Sequence, residues 1–345
     1  MTSIPTMALA AAFAALLCGA FLRLPGPTAL PKPDRWHSQP TPAAGGIALF
    51  AAFLLALQPG VLHAAVHRTY LPVVLGAAAA FALGLWDDSR PLSPQVKLIG
   101  QIVIAVGAAA GGLRPDWIST WAGIPLAAAA LLAAMNGFNL LDNIDGLAAG
   151  TALIASTGLA VLAGLVPGSG SSVVAGALAG ACLGFLPFNY RPGRPAALFM
   201  GDSGSHLLGF VLGGLALLAS PGGAGGVAAA IAAPLLILSL PILDTSLVAV
   251  SRLGRAQPVW KGGLDHSSHR LVDRGLSEWR AVALLLGVAA FSTTTALLVV
   301  IVDRPVATAV SGALVFVGLI LLAALLFKFR GPTRGELGMG QKSKT

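Results

Sequence analysis

Charge is what this chain has least of. Only 10% of its 345 residues are Asp, Glu, Lys or Arg, whereas 56% are hydrophobic; a soluble globular domain carries roughly 25% charged residues. With a mean hydropathy of +0.84 the composition is that of a polytopic membrane protein. Cysteine is nearly absent. Cys18 and Cys182 fall in apolar runs without a CxxC spacing or a neighbouring His, which excludes a disulfide framework and argues against a zinc site. No GxxxxGK[ST] phosphate loop occurs, so ATP-driven transport has no support, and there is no HExxH. A secretory leader is not expected: the first apolar run lacks a basic segment before it, and Arg23 and Lys32 follow it.

Long runs of Ala, Leu, Val and Gly are what the chain has instead. Roughly 20 apolar residues cross a bilayer as a helix, while a β-barrel shows short alternating segments. The expected fold class is therefore all-α, with about eleven transmembrane helices at 4–22, 43–62, 70–86, 97–111, 120–135, 149–166, 171–187, 204–220, 226–250, 281–301 and 306–327. Residues 1–330 form a single integral-membrane domain in this reading, and 331–345 a basic tail. Pro234 and Pro241 lie inside the ninth run and predict a kinked or broken helix near Asp244. With the N-terminus outside, 18 of the 21 Lys and Arg fall on the inner side; the positive-inside rule then makes the C-terminus cytoplasmic. The net charge of +8 reads as orientation signal and anionic-lipid contact, with no nucleic acid implied.

Eleven of the 13 acidic residues share that inner side. A carboxylate is costly beside hydrocarbon, so acids gathered at span ends point to ion or phosphate chemistry at the cytoplasmic surface. Asp87 and Asp88 end the third run. Adjacent on a helix, they point about 100° apart and invite a division of labour. Lys97, beyond the turn at Pro91–Pro94, is a candidate phosphate contact. In NGFNLLDNIDGL the side chains of Asn136, Asn139, Asp142 and Asp145 recur every third residue, the spacing of one helical stripe. In LFMGDSGSHLLG glycines flank Asp202 and Ser203. That is the tight backbone a metal-bound phosphate requires, and magnesium takes hard oxygen ligands from one or two carboxylates plus phosphates. Asp202 is the expected metal ligand, with His206 packing at a helix start. The polar stretch from about 251 to 280 carries Asp265, His266, His269 and Arg270; its histidines suit either a transition metal or a diphosphate. With Arg252, Arg255 and Lys261 nearby, anion recognition fits better.

Taken in order, these segments, together with RWHSQPTPAAGGI from Arg35, resemble the polyprenyl-phosphate N-acetylhexosamine-1-phosphate transferase family, whose members include the MraY and WecA types. The resemblance runs from about Pro33 to Leu271. It implies transfer of a sugar-1-phosphate from a UDP-sugar to undecaprenyl phosphate, with UMP released and with magnesium, or manganese in its place, as cofactor. By motif it implies that Asp87, Asp88 and Asp145 are catalytic, and that Lys97, Asn139, Asp142, Asn189, His266, His269 and Arg270 bind substrate. The chain departs from the family pattern at Asn143, a place often glycine, and at Ser267 and Ser268, in a run usually richer in histidine; the stretch from Asn189 to FMGD is about three residues longer. The loop favours the WecA type, with N-acetylglucosamine as sugar, over the phospho-N-acetylmuramoyl-pentapeptide transferase of peptidoglycan synthesis. The implied setting is the bacterial inner membrane, and a homodimer is allowed. From another class, a secondary transporter would place its acids near the bilayer midplane. Here they gather at span ends.

Overall fold

The computed structural model describes residues 3–24, 28–29, 40–57, 70–166, 170–218, 226–258 and 263–301. The expected eleventh span, the basic tail, Lys261 and the segment from Arg35 to Gln39 lie outside the described residues. Twelve helices are described: α1 (Ser3–Phe21), α2 (Gly45–Ala56), α3 (Leu71–Ser89), α4 (Pro94–Ala110), α5 (Thr120–Leu141), α6 (Leu147–Gly164), α7 (Ser171–Asn189), α8 (Gly201–Leu217), α9 (Gly226–Ile237), α10 (Ser239–Leu253), α11 (Ser267–Val272) and α12 (Glu278–Ile301). A helix stands on each of the first ten predicted runs, and the fold is helical apart from one addition. Thr28–Ala29 and Thr41–Pro42 form a short antiparallel strand pair, which two residues on each side are too few to announce in sequence.

Among the described residues six helices can cross a membrane by length and apolarity, α1, α3, α5, α6, α7 and α12, and a seventh span results if α9 and α10 count as one. This is fewer than eleven because α2 and α4 are short apolar helices, α8 has only 17 residues and the last run is not described. The break in the ninth run is where the prolines put it: the two halves bend by 73°. Pro241 has no N–H to give the carbonyl of Ile237, so the helical ladder fails there.

The helices pack through small residues. On α7, Cβ atoms at Gly180 and Gly184 would overlap the carbonyls of Met7 and Ala11 on α1, and one at Gly176 would stand 2.8 Å from the Ser3 carbonyl. On α3, Gly84 lies against the backbone of Asp202 and Ser203. Such contacts replace the hydrophobic drive that lipid does not supply between helices. The centre of the bundle is α8, buried at every residue from Ser203 to Leu215 and touched by α2, α3, α5 and α6. The periphery is apolar, with Leu16, Val103, Trp121 and Phe291 at least 65% exposed, as lipid-facing surfaces are.

Replacing Gly180 by Leu forces α1 away from α7 and should cost about 1–3 kcal/mol or more, lowering the melting temperature in detergent. Gly107→Leu, where no atom lies within 4 Å of the added Cβ, should melt like the parent.

Candidate active site

The ends of α3, α5 and α7 and the starts of α4, α6, α8 and α12 are joined by side-chain hydrogen bonds, so one face of the bundle collects the polar residues. At its centre are Asp87, Asp88, Lys97, Asn139 and Asp202. Ser93 caps α4 by accepting from Val96 N–H, and Lys97 follows one turn later. Its Nζ reaches Asp87 Oδ2 at 3.0 Å, Asp202 Oδ2 at 2.5 Å and Asn139 Oδ1 at 3.4 Å. Asn139 Nδ2 donates to Asp202 Oδ1 and to Ser205 Oγ, each at 3.0 Å. The side chains of Asp87, Lys97 and Asp202 keep 12%, 18% and 22% of their exposure, so the cluster opens to a ligand.

The adjacent aspartates do diverge. Asp87 Oδ1 accepts from Leu92 N–H at 2.7 Å and its other oxygen faces Lys97. Asp88 accepts from the N–H groups of Asp202 at 2.7 Å and Ser203 at 3.0 Å, capping α8. Gly201, at φ +69°, passes so near that a Cβ would stand 2.6 Å from Asp88 Oδ2.

Asp87 and Asp202 are hard oxygen donors meeting around one cation. Among the described residues no three His, Cys, Asp or Glu side chains group closely enough to hold a metal by themselves. Two carboxylates are the kind of hard oxygen donors that magnesium takes from a protein when substrate oxygens complete its shell.

His206 packs at the start of α8, fully buried. Its Nδ1 meets the Asp202 carbonyl at 2.7 Å and its Nε2 meets Gln101 Nε2 at 2.8 Å. A carbonyl only accepts and this amide nitrogen only donates, so the ring is the neutral Nδ1–H tautomer. Gln101 in turn exchanges bonds with Asn136. Sequence reading passed over Gln101; its signal was the i, i+4 spacing from Lys97.

The predicted stripe does not survive as one face. Helix α5 stops at Leu141, with Asp142 as its cap, and the four polar side chains separate. Asn136 and Asn139 face α4 and α8, while Asp145 turns the other way and accepts from Ala196 N–H at 2.9 Å. It lines a cleft of about 860 Å³ with Thr41, Tyr190, Arg194, Glu278 and Trp279. Burial pushes the Asp145 carboxyl up to about 6, the Ala196 amide opposing and Glu278 adding to the rise. Asn189, expected to bind substrate, is buried with both ends engaged: it accepts from Gly146 N–H at 2.8 Å and donates to the Leu198 carbonyl at 3.0 Å. It braces the FMGD loop against the start of α6.

The histidine loop is bound just as tightly. Asp244, wholly buried, accepts from His266 Nδ1 at 2.8 Å and from Ser267 N–H at 2.7 Å. Arg252 grips both oxygens of Asp265 at 2.7 and 2.9 Å; burial alone would raise that carboxyl, but the guanidinium holds it below the ordinary range. Arg270, expected at substrate, donates to the Asp265 carbonyl and to Ser251 Oγ. The rings of His266 and His269 lie 5.6 Å apart, and burial lowers His269 to about 4, with His266 adding to the shift. A neutral His269 at pH 7 follows.

An apolar groove of about 520 Å³ opens between α5, α8 and the bent pair, lined by Trp117, Leu126, Ala130, Phe138, Gly213 and Leu235 among others.

Comparison with known proteins gives the family of the chain. Residues 70–220 match the model of "Glycosyl transferase family 4". The chain is 32% identical, over 87% of its length and 83% of the relative's, to a decaprenyl-phosphate N-acetylglucosaminephosphotransferase of Mycobacterium tuberculosis. It is 30% identical, over 74% and 72%, to a probable undecaprenyl-phosphate N-acetylglucosaminyl 1-phosphate transferase of Bacillus subtilis. A phospho-N-acetylmuramoyl-pentapeptide-transferase of Halalkalibacterium halodurans is 28% identical over 70% and 78%.

The raised Asp145 carboxyl makes stability depend on pH. An acid whose folded pKa lies above its unfolded value favours the fold while protonated, and that contribution is lost as pH rises through the folded value. Between about pH 4 and 6 the loss is up to about 3 kcal/mol. Asp145→Asn, which keeps an acceptor for Ala196, should flatten the fall in melting temperature between pH 4 and 7.

Proposed function

The chain belongs to glycosyl transferase family 4, and on that premise we propose that it transfers N-acetylglucosamine-1-phosphate from UDP-N-acetylglucosamine to undecaprenyl phosphate, releasing UMP, at the cytoplasmic face of a bacterial inner membrane. The observation that carries the reading is the junction of two unlike environments. Phe138 lines the apolar groove, and the next residue, Asn139, bonds to Asp202 in the polar cluster. A polyprenyl tail in the groove leads its phosphate to that cluster. Relatives named for N-acetylglucosamine match over 74% and 87% of the chain and those named for muramoyl-pentapeptide over 70% and 52%, which favours the smaller sugar.

An oxygen of the lipid phosphate attacks the β-phosphorus of the donor; the new P–O bond forms as the bond from that phosphorus to the bridging oxygen breaks, and UMP leaves. Positioning and charge stabilisation supply most of the acceleration in phosphoryl transfer. The two aspartates divide the work. Asp88 has both oxygens bound to α8 amides and acts as a clamp, whereas Asp87, facing Lys97, is the group that takes a proton from the lipid phosphate or orients it. Lys97 supplies positive charge to phosphate oxygens. Asp202 would hold magnesium, whose charge would offset that of the donor's diphosphate. Asp145 and its cleft receive the nucleoside, and the histidine loop faces the diphosphate.

Purified protein given undecaprenyl phosphate and magnesium should release UMP from UDP-N-acetylglucosamine and none from UDP-N-acetylmuramoyl-pentapeptide. Release from the second donor alone would move the chain into peptidoglycan synthesis. Asp202→Ala should lose at least about a thousandfold in kcat while remaining folded; near-parental turnover would remove its assignment. In the groove, Ala130→Trp should raise KM for undecaprenyl phosphate and leave KM for the UDP-sugar unchanged.

A further inference from the structure

The loop that carries His266 and His269 has little to fix it from within, since α11 has six residues and so short a helix is marginal alone. It is held from two sides. On one side is α10, where Asp244 accepts from His266, from Ser267 N–H and, at 2.6 Å, from Ser267 Oγ. On the other is the turn after α5. There Asn143 Oδ1 accepts from Ser268 Oγ at 2.5 Å, and Asn143 Nδ2 donates to the Leu140 carbonyl at 2.7 Å, so both ends of the amide are committed. Ser268 is fully buried, and a buried hydroxyl left unbonded is destabilising.

Asn143 and Ser268 are two of the positions at which the chain departs from the family pattern, and they lie 125 residues apart in sequence. A glycine at 143 has no side chain to accept the serine hydroxyl. The two departures therefore make sense together and not singly. Asn143 also sits between Asp142 and Asp145, so the bond connects the carboxylate turn to the histidine loop.

We propose that Asn143 and Ser268 are paired positioning residues, whose bond sets the histidine loop against the Asp142–Asp145 turn and so fixes where the donor's diphosphate lies relative to its nucleoside. The inference rests on the function proposed above. Neither residue donates or accepts a proton in the reaction; both act through the groups on either side of them.

The test is a double-mutant cycle on the full chain in lipid nanodiscs: Asn143→Gly, Ser268→Ala and the pair, with UMP release and amide exchange of residues 265–272 measured on the same samples. Each single variant should lower kcat about 3- to 10-fold, the span of one hydrogen bond's net worth, and leave KM for undecaprenyl phosphate unchanged. The double variant should lose no more than the worse single one, and loop exchange should quicken in all three. Ser268→Thr, which keeps the hydroxyl for Asn143 Oδ1, should retain more of the parental kcat than Ser268→Ala. Losses that multiply in the double variant, or exchange unchanged in the singles, overturn the proposal. A parent protein silent toward every UDP-sugar would instead refute the functional reading, and the exchange rates would still decide whether the bond holds the loop.

Discussion

The Lys97 cluster at the centre of the polar face depends on one carboxylate, that of Asp88, holding the first amides of α8. The N-terminus of a helix presents N–H groups without partners and a partial positive charge; Asp88 satisfies two of those groups from the end of α3. Bonds to an ionised acceptor are among the stronger ones available. Because α8 is the buried axis of the bundle, fastening its first turn to α3 fixes Asp202 at the surface end of a buried element. The close approach needs two glycines: Gly84, whose Cβ would strike the Asp202 backbone, and Gly201, whose left-handed φ turns the chain under the Asp88 carboxylate. With Asp88 committed, the helical turn of about 100° per residue aims Asp87 at Lys97.

A second constraint comes from the end of α5. A helix terminus leaves backbone groups open and lets successive side chains leave in different directions. Over eight residues this segment sends Asn139 to Asp202, Asn143 to Ser268, Asp145 to Ala196 and the Gly146 amide to Asn189. Four separate pieces of chain thus take their positions from one turn. Gly146, at φ +84° and against the Tyr190 side chain, permits the change of direction that a residue with a Cβ would resist.

Much of this was legible in the sequence wherever the signal is local. Apolar runs near bilayer length located helices on ten segments, the prolines at 234 and 241 located the break, and acids at run ends pointed to the face where the polar side chains gather. The angle of the break and the end of α5 were not legible. A spacing of three fits a helical stripe through Asp145 as well as through Asn139, and only the cap geometry at Asp142 shows that the helix has stopped. Nor could sequence show which polar groups the fold uses up. Asn189 and Arg270 have the chemistry of substrate contacts, yet their partners, Gly146 and Leu198 for one and Ser251 and Asp265 for the other, are set by tertiary contacts that leave no periodic trace. The Asn143–Ser268 pair was visible as two departures from a pattern; that they touch was not.

The proposed reaction joins a donor that dissolves in water to an acceptor that dissolves in lipid, and the fold answers this with a boundary one residue wide. Buried Phe138 belongs to the apolar groove and Asn139 to the carboxylate cluster, and α5 cannot move one without the other. A longer transition would leave either the phosphate in hydrocarbon, where its charge is strongly disfavoured, or the first isoprene units in water, at about 0.8 kcal/mol per CH₂ group. The bent pair contributes from the opposite wall. Its 73° break lets α9 and the start of α10 line the groove, through Leu235 and Ile242, while Asp244 on the same helix meets the histidine loop. Both walls therefore turn from apolar to polar within about one helical turn, and in the proposed reaction it is this matched change, more than any single side chain, that would bring the lipid phosphate and the diphosphate together.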